Sequence, residues 1–270
     1  MNVTESIRAD AARLLTEGRA KMVIGYGLRN GRSVPVFLTE PQGADSLHYG
    51  PQCTLNLAAY LARPEVRRNA PLAIVAPPAT LRSLVVLAAE SQVPDGSVLA
   101  LAVGPQEYHG VVDVAAAAEI VRKHYASPEV DPDLAARARE LAAMTPAQRS
   151  AFWREQFAKC TRCYACRAAC PGCYCRRCVA ETNMPQWVST AARGHGNYAW
   201  HILRAFHQAG RCVLCGACEA ACPQGIPLML LNLSTAQEVQ EQFGAKPGLD
   251  PAAKPVMGSF RPEDKDDFIR

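Results

Sequence analysis

A chain of 270 residues, 49 % of them hydrophobic, is long enough for two domains with ordinary buried cores, since one domain usually takes about 100–200 residues. Its net charge of +4 is too mild to point to nucleic acid, and no run of ~18 apolar residues is present to span a membrane. The start, Met1-Asn-Val-Thr-Glu-Ser6, has neither a basic region nor an apolar one, so a cytoplasmic protein is expected.

Residues 1–125 alternate helix and strand signals. Thr4 is placed to cap a helix whose apolar positions Ile7, Ala11, Leu14 and Leu15 recur at helical spacing, with Gly18 as its stop. Short β-like runs follow at Met22–Tyr26, Val34–Leu38, Leu72–Ala76 and Ser97–Val103. Helical stretches at Thr54–Arg63, Thr80–Ser91 and Asp113–His124 lie among them. Apolar strands separated by helices predict an α/β N-terminal domain, a largely parallel sheet with helices. Residues 126–158 read as a helical connector. Pro128 and Pro132 open it, Asp133–Met144 is a charged helix, and Thr145-Pro146 caps a second helix running through Phe157. Residues 159–230 hold nearly all the cysteines, with a helix at Tyr198–Gln208. Residues 231–270 carry Gly244, Pro247, Gly248, Pro251, Pro255, Gly258 and Pro262, which predicts an extended C-terminal tail. Its apolar residues Phe243, Val256, Phe260, Phe268 and Ile269 leave a strap over this chain or a neighbour open beside a solvated tail.

Eleven of the twelve cysteines fall between Cys160 and Cys222, and eight of them write one motif twice. The first copy is Cys160-Thr-Arg-Cys163-Tyr-Ala-Cys166-Arg-Ala-Ala-Cys170-Pro171. The second is Cys212-Val-Leu-Cys215-Gly-Ala-Cys218-Glu-Ala-Ala-Cys222-Pro223. Each reads C-x2-C-x2-C-x3-C-P, the run that holds 4Fe–4S cubes in bacterial two-cluster ferredoxins, where the fourth cysteine serves the other cube. The expected ligands are therefore Cys160, Cys163, Cys166 and Cys222 for one cluster, and Cys212, Cys215, Cys218 and Cys170 for the second. Disulfides suit small secreted scaffolds, and zinc ribbons pair C-x2-C knuckles in sets of four, so neither accounts for the doubled run. The domain over 159–230 is accordingly expected to be a bacterial-type dicluster ferredoxin with a long insert over 171–211.

Four thiols are left over. Cys173, Cys175 and Cys178 follow the first motif directly, and Cys53 stands alone in Pro51-Gln-Cys-Thr-Leu-Asn-Leu57. A third 4Fe–4S cluster, a zinc ion and plain buried thiols are all open for this set. Lys159, Arg162, Arg167, Arg176 and Arg177 crowd the first motif, where cations would offset an anionic cube or form a patch for an acidic partner. His195, His201 and His207 lie near the second motif; His201 and His207 are six positions apart, off the i, i+4 spacing of a metal pair, and read as packing or surface residues. His48, His109 and His124 have no partner pattern. Gly25-Tyr-Gly27 and Gly104-Pro105 are candidate turns near a flavin or nucleotide, though neither is a full G-x-G-x-x-G. No nucleophile elbow, P-loop or paired-carboxylate signature occurs, so no catalytic residue is assigned.

The segment Lys159–Cys175 is similar to the ferredoxin portion of beta subunits in the deazaflavin-dependent hydrogenase and formate dehydrogenase superfamily. Arg204–Leu228 resembles iron–sulfur subunits that accompany heterodisulfide-reductase-like complexes. Pro51–Leu61 and Leu72–Arg82 look more loosely like the beta-subunit α/β core. The resemblance implies a soluble multi-subunit oxidoreductase in which this chain relays single electrons between a formate dehydrogenase- or hydrogenase-like partner and a flavoprotein. A beta subunit of the flavin-bearing kind, which splits hydride from a nicotinamide or deazaflavin, is the alternative. Ala76-Pro77-Pro78-Ala79-Thr80 departs from the glycine- and cysteine-containing turn of flavin-binding members. Its two prolines remove donors that could hold a phosphate, which counts against FAD here.

Overall fold

The computed structural model describes residues 2–105 and 107–256. Phe260, Phe268, Ile269, Gly258 and Pro262 of the expected tail lie outside them.

The N-terminal half is a five-stranded mixed sheet with its helices packed on it. In chain order it contains α1 (Val3–Thr16), β1 (Met22–Arg29), β2 (Arg32–Leu38), α2 (Pro64–Arg67), β3 (Leu72–Ala76), α3 (Pro78–Ala89), β4 (Val98–Val103), β5 (Tyr108–Val112) and α4 (Val114–His124). The strand order is β2-β1-β3-β4-β5. Only the central pairings, β1–β3 and β3–β4, are parallel; both outer pairings are antiparallel, which corrects the expectation of a largely parallel sheet. The reason is local. Asn30 and Gly31 both adopt positive φ, the Asn-Gly chemistry of a tight hairpin, and the short link after Gly104 has no room for a crossover. β5 carried no clear period-2 signal and is an addition to the expected strands. β3, flanked on both sides, buries all five residues, as a central parallel strand must.

Three local expectations are corrected. Asn2, not Thr4, caps α1: its side chain accepts from the Glu5 amide at 3.1 Å while Glu5 accepts from the Asn2 amide at 2.9 Å. Thr4 lies inside the helix and donates to the Tyr49 carbonyl instead. Thr54–Arg63 is not an α-helix; Asn56 caps a single 3-10 turn, Leu57–Tyr60, and Pro64 starts a new short helix. Gly25 and Gly27 are within β1 rather than on a turn, and a Cβ at Gly25 would stand 2.3 Å from Leu47.

The second half is helical: α5 (Pro132–Ala143), α6 (Pro146–Ala158), α7 (Ala165–Ala168), α8 (Gly194–Gln208), α9 (Ala217–Ala220) and α10 (Leu228–Phe243). Thr145 and Gln148 form the capping box of α6 behind Pro146. The connector helices do more than join: Leu141, Trp153 and Phe157 share one core with Trp200, Leu230 and Leu233. Thus 231–243 completes α10, where an extended tail was expected. Its residues Leu230 and Leu233 are buried, which pulls the segment into helix ahead of the Gly244 stop at φ 65°. Pro247 and Leu249, just beyond Gly244, then lie back on the first half, where Arg82 donates to the Pro247 carbonyl at 2.8 Å and Arg122 to that of Leu249. Among the described residues no helix is long and apolar enough to cross a membrane.

Candidate metal centre

The repeated motif folds into two like loops. Arg162 and Leu214, at the same place in each copy, both have φ 57°; Tyr164 and Gly216, two residues on, have φ 60° and 75°. Glycine tolerates that left-handed geometry freely, whereas Arg162, Tyr164 and Leu214 hold it against a steric cost, so the loop shape is imposed twice on unlike side chains. Each loop ends in a one-turn helix, α7 or α9, that carries the third cysteine.

The left-handed turns aim backbone N–H groups at sulfur. The Arg162 amide donates to Cys160 Sγ at 3.4 Å, and the Leu214 amide does the same to Cys212, favouring its thiolate. Such inward amides suit an anionic iron–sulfur cluster, whose sulfurs they would hydrogen-bond and whose potential they would help set. Against them stands burial, which pushes the Cys166 and Cys218 thiols up to about 11 and raises Cys160, Cys212 and Cys215 as well. The charge of Cys222 adds to the rise at Cys160 and Cys166; that of Cys170 adds to it at Cys212, Cys215 and Cys218. Each fourth cysteine thus lies in electrostatic reach of the other copy's triplet.

Polar side chains from distant elements close in on these sulfurs. Asn232 on α10 donates to Cys218 Sγ at 3.4 Å, and Asn56 reaches Cys215. Gln208 bridges two thiols, its Oε1 3.5 Å from Cys170 Sγ and its Nε2 3.5 Å from Cys173 Sγ. Arg204 is 7 % exposed, donates to the Cys166 carbonyl at 3.3 Å, and leaves its Nε unpartnered. Burial works to lower its pKa, yet Cys173, Cys170, Cys218 and Cys166 outweigh that and raise it, so the cation is held among the thiols. Motif reading did not find Arg204, Gln208, Asn232 or Asn56, because each is far from its sulfur in sequence.

The remaining expected residues separate. Cys53 is buried in the N-terminal core, donating to the His48 carbonyl and accepting from Ser33. Cys173, Cys175 and Cys178 instead line one cavity at the other end of the first motif. Of the cations, Arg162 points inward to Asn197, Ser189 and Gly196, while Lys159, Arg176 and Arg177 are exposed and Arg167 is half-buried on the Cys175 carbonyl. His201 is a packing residue, stacked 4.3 Å from Phe157, and His207 is exposed. All twelve cysteines are free thiols, and among the described residues no three His, Cys, Asp or Glu side chains converge closely enough to hold a single metal ion. A 4Fe–4S cube presents a separate iron to each thiolate, so its thiolates stand apart and need no such convergence.

Residues 159–227 match the 4Fe–4S dicluster domain family. The chain carries an iron–sulfur dicluster domain. It is 30 % identical over 110 residues to the F420-dependent formate dehydrogenase subunit beta of Methanocaldococcus jannaschii, and 34 % identical over 110 residues to F420-dependent formate dehydrogenase 1 subunit beta of Methanococcus maripaludis. These matches cover 40 % and 41 % of this chain, and in each case 28 % of the relative. The chain is therefore similar over 110 residues to beta subunits of F420-dependent formate dehydrogenases, and spans less than a third of the length of these relatives.

Proposed function

We propose that this protein is the electron-relay subunit of a multi-subunit oxidoreductase, passing single electrons through two 4Fe–4S clusters between a formate dehydrogenase- or hydrogenase-like partner and a flavoprotein. The observation that carries the reading is the pair of like loops, in which Arg162 and Tyr164 repeat the left-handed path of Leu214 and Gly216. The charge of Cys222 felt at Cys160, and that of Cys170 felt at Cys212, support an exchange of the fourth cysteines between the copies. On this reading Cys160, Cys163, Cys166 and Cys222 hold one cube, and Cys212, Cys215, Cys218 and Cys170 the other. The chain's own part is to position the cubes, exclude water with Val213, Ala217 and Ile226, and supply N–H and Asn donors to the sulfurs. Twelve free thiols fit the reducing cytoplasm as its setting.

The flavin-bearing alternative has less support. Pro77 and Pro78 cap and open α3 directly after β3, so the helix end that would meet a flavin phosphate lacks two N–H donors. Ligand exchange between the copies is open to direct test. Cys222→Ala should remove or alter the electron paramagnetic resonance signal of the cube on Cys160, Cys163 and Cys166 and leave the other intact. Loss of the cube on the Cys212 triplet alone would overturn the assignment.

A further inference from the structure

We propose a third 4Fe–4S cluster in the cavity lined by Cys173, Cys175 and Cys178, with His207 at its fourth corner. The proposal rests on the electron-relay reading for its role only; the site stands on observations of its own. A cavity of about 160 Å³ lies between the Pro171–Cys178 stretch and α8, and these three thiols are all in its wall. The stretch contains no helix or strand, so its C-x-C-x2-C run can wrap a cofactor as the dicluster loops do. His207 supplies the imidazole among the lining residues. Cys53, the distant cysteine that would have completed the set, is engaged with His48 and Ser33 inside the other core and is not part of this wall.

Charge points the same way. Arg167, Arg177, Arg204 and Arg211 line the same cavity. Arg167 pairs with Glu181 at 3.5 Å and Arg211 with Glu90 at 3.0 Å, so Arg177 and Arg204 are the lining cations without a carboxylate partner among the described residues, and an anionic cube would supply the counter-charge. Zinc fits less well, because it takes four ligands converged on one point and no such convergence occurs among the described residues. Location gives the cube a use. Cys173 is joined to Cys170, a proposed ligand of the second cube, both through the Cys173 amide to the Cys170 carbonyl at 3.1 Å and through the Gln208 bridge. A third cube here would extend the relay to the surface at Cys175, which is exposed. On ligation each thiol gives up its proton to form an iron–thiolate bond, and the assembled cube takes up and releases one electron without further change in its ligands.

Iron and acid-labile sulfide would be counted on the full chain purified without oxygen, for the wild type and for C175S/C178S. About twelve irons per chain are expected for the wild type and about eight for the double variant, with both dicluster resonance signals retained. About eight irons in the wild type, an unchanged count in the variant, or one zinc per chain lost on substitution would overturn the proposal. A wild type without iron would instead sink the relay reading itself, so the two failures are distinguishable. If the double variant does not accumulate, the wild-type count alone decides. His207→Ala should keep the irons of the dicluster and lose or alter the third signal; an unaltered third signal removes His207 from the site.

Discussion

Arg204 is a fixed positive charge beside the thiols proposed to hold the clusters. Its guanidinium is buried, one nitrogen has no partner, and four cysteines from both motifs and the Cys173 segment surround it. A cation there stabilises the more anionic, reduced cubes, so its loss should make reduction harder. Arg204→Gln is expected to lower at least one cluster potential by on the order of 60 mV, a tenfold change in a one-electron equilibrium. Arg204→Lys, which keeps the charge, should stay near the wild-type value. A redox titration followed by paramagnetic resonance checks this; equal potentials in wild type and Arg204→Gln would show that the residue only packs. No motif marks Arg204, since its partner Cys166 carbonyl is reached only once α8 packs beside α7. The eight repeat cysteines were legible for the opposite reason: each loop is built within a dozen residues, so spacing alone expresses its geometry.

At the level of single elements, legibility follows how local the determining physics is. Pro146 and the Thr145/Gln148 box are contiguous signals, and α6 starts where they say. Thr145→Ala removes the acceptor for the Gln148 amide and should cost about 1 kcal/mol, seen as a fall of a few degrees in the melting temperature of the anaerobic protein. No measurable change would mean that packing of Trp153 and Phe157 alone sets the helix start. The antiparallel edges, by contrast, depend on a two-residue turn and a short link whose effect on pairing direction is not expressed in strand composition. The Thr54–Arg63 stretch has helical apolar spacing, but Asn56 turns its side chain to the Ala58 amide and to Ser83, and a 3-10 turn results. Glycine and proline content also overshadowed the helix in 228–243, where burial against α5 and α8 was not visible from local composition.

Taken whole, the molecule has two cores joined by specific polar contacts and by Tyr174 and Leu249 packing on the first of them. Glu90 at the end of α3 receives both Arg211, at 3.0 Å, and the Tyr174 hydroxyl, at 2.8 Å, the first directly ahead of the second motif and the other in the Cys173 segment. The Cys215 loop reaches Asn56, and Pro247 and Leu249 bind back on Arg82 and Arg122. An α/β sheet commonly binds ligands beyond the carboxyl ends of its parallel strands. Here the second motif packs beside Ser83, Val86 and Leu87 of α3, so the sheet serves as a platform for the cluster domain. On the proposed function the chain conducts electrons through paired cubes, a behaviour open to measurement. Its most direct test is paramagnetic resonance of the anaerobic full chain during stepwise reduction. At least two 4Fe–4S signals are expected, each appearing with one electron and broadened by its neighbour as both fill. A colourless protein with no iron signal, or one whose only radical is a flavin semiquinone, would contradict it.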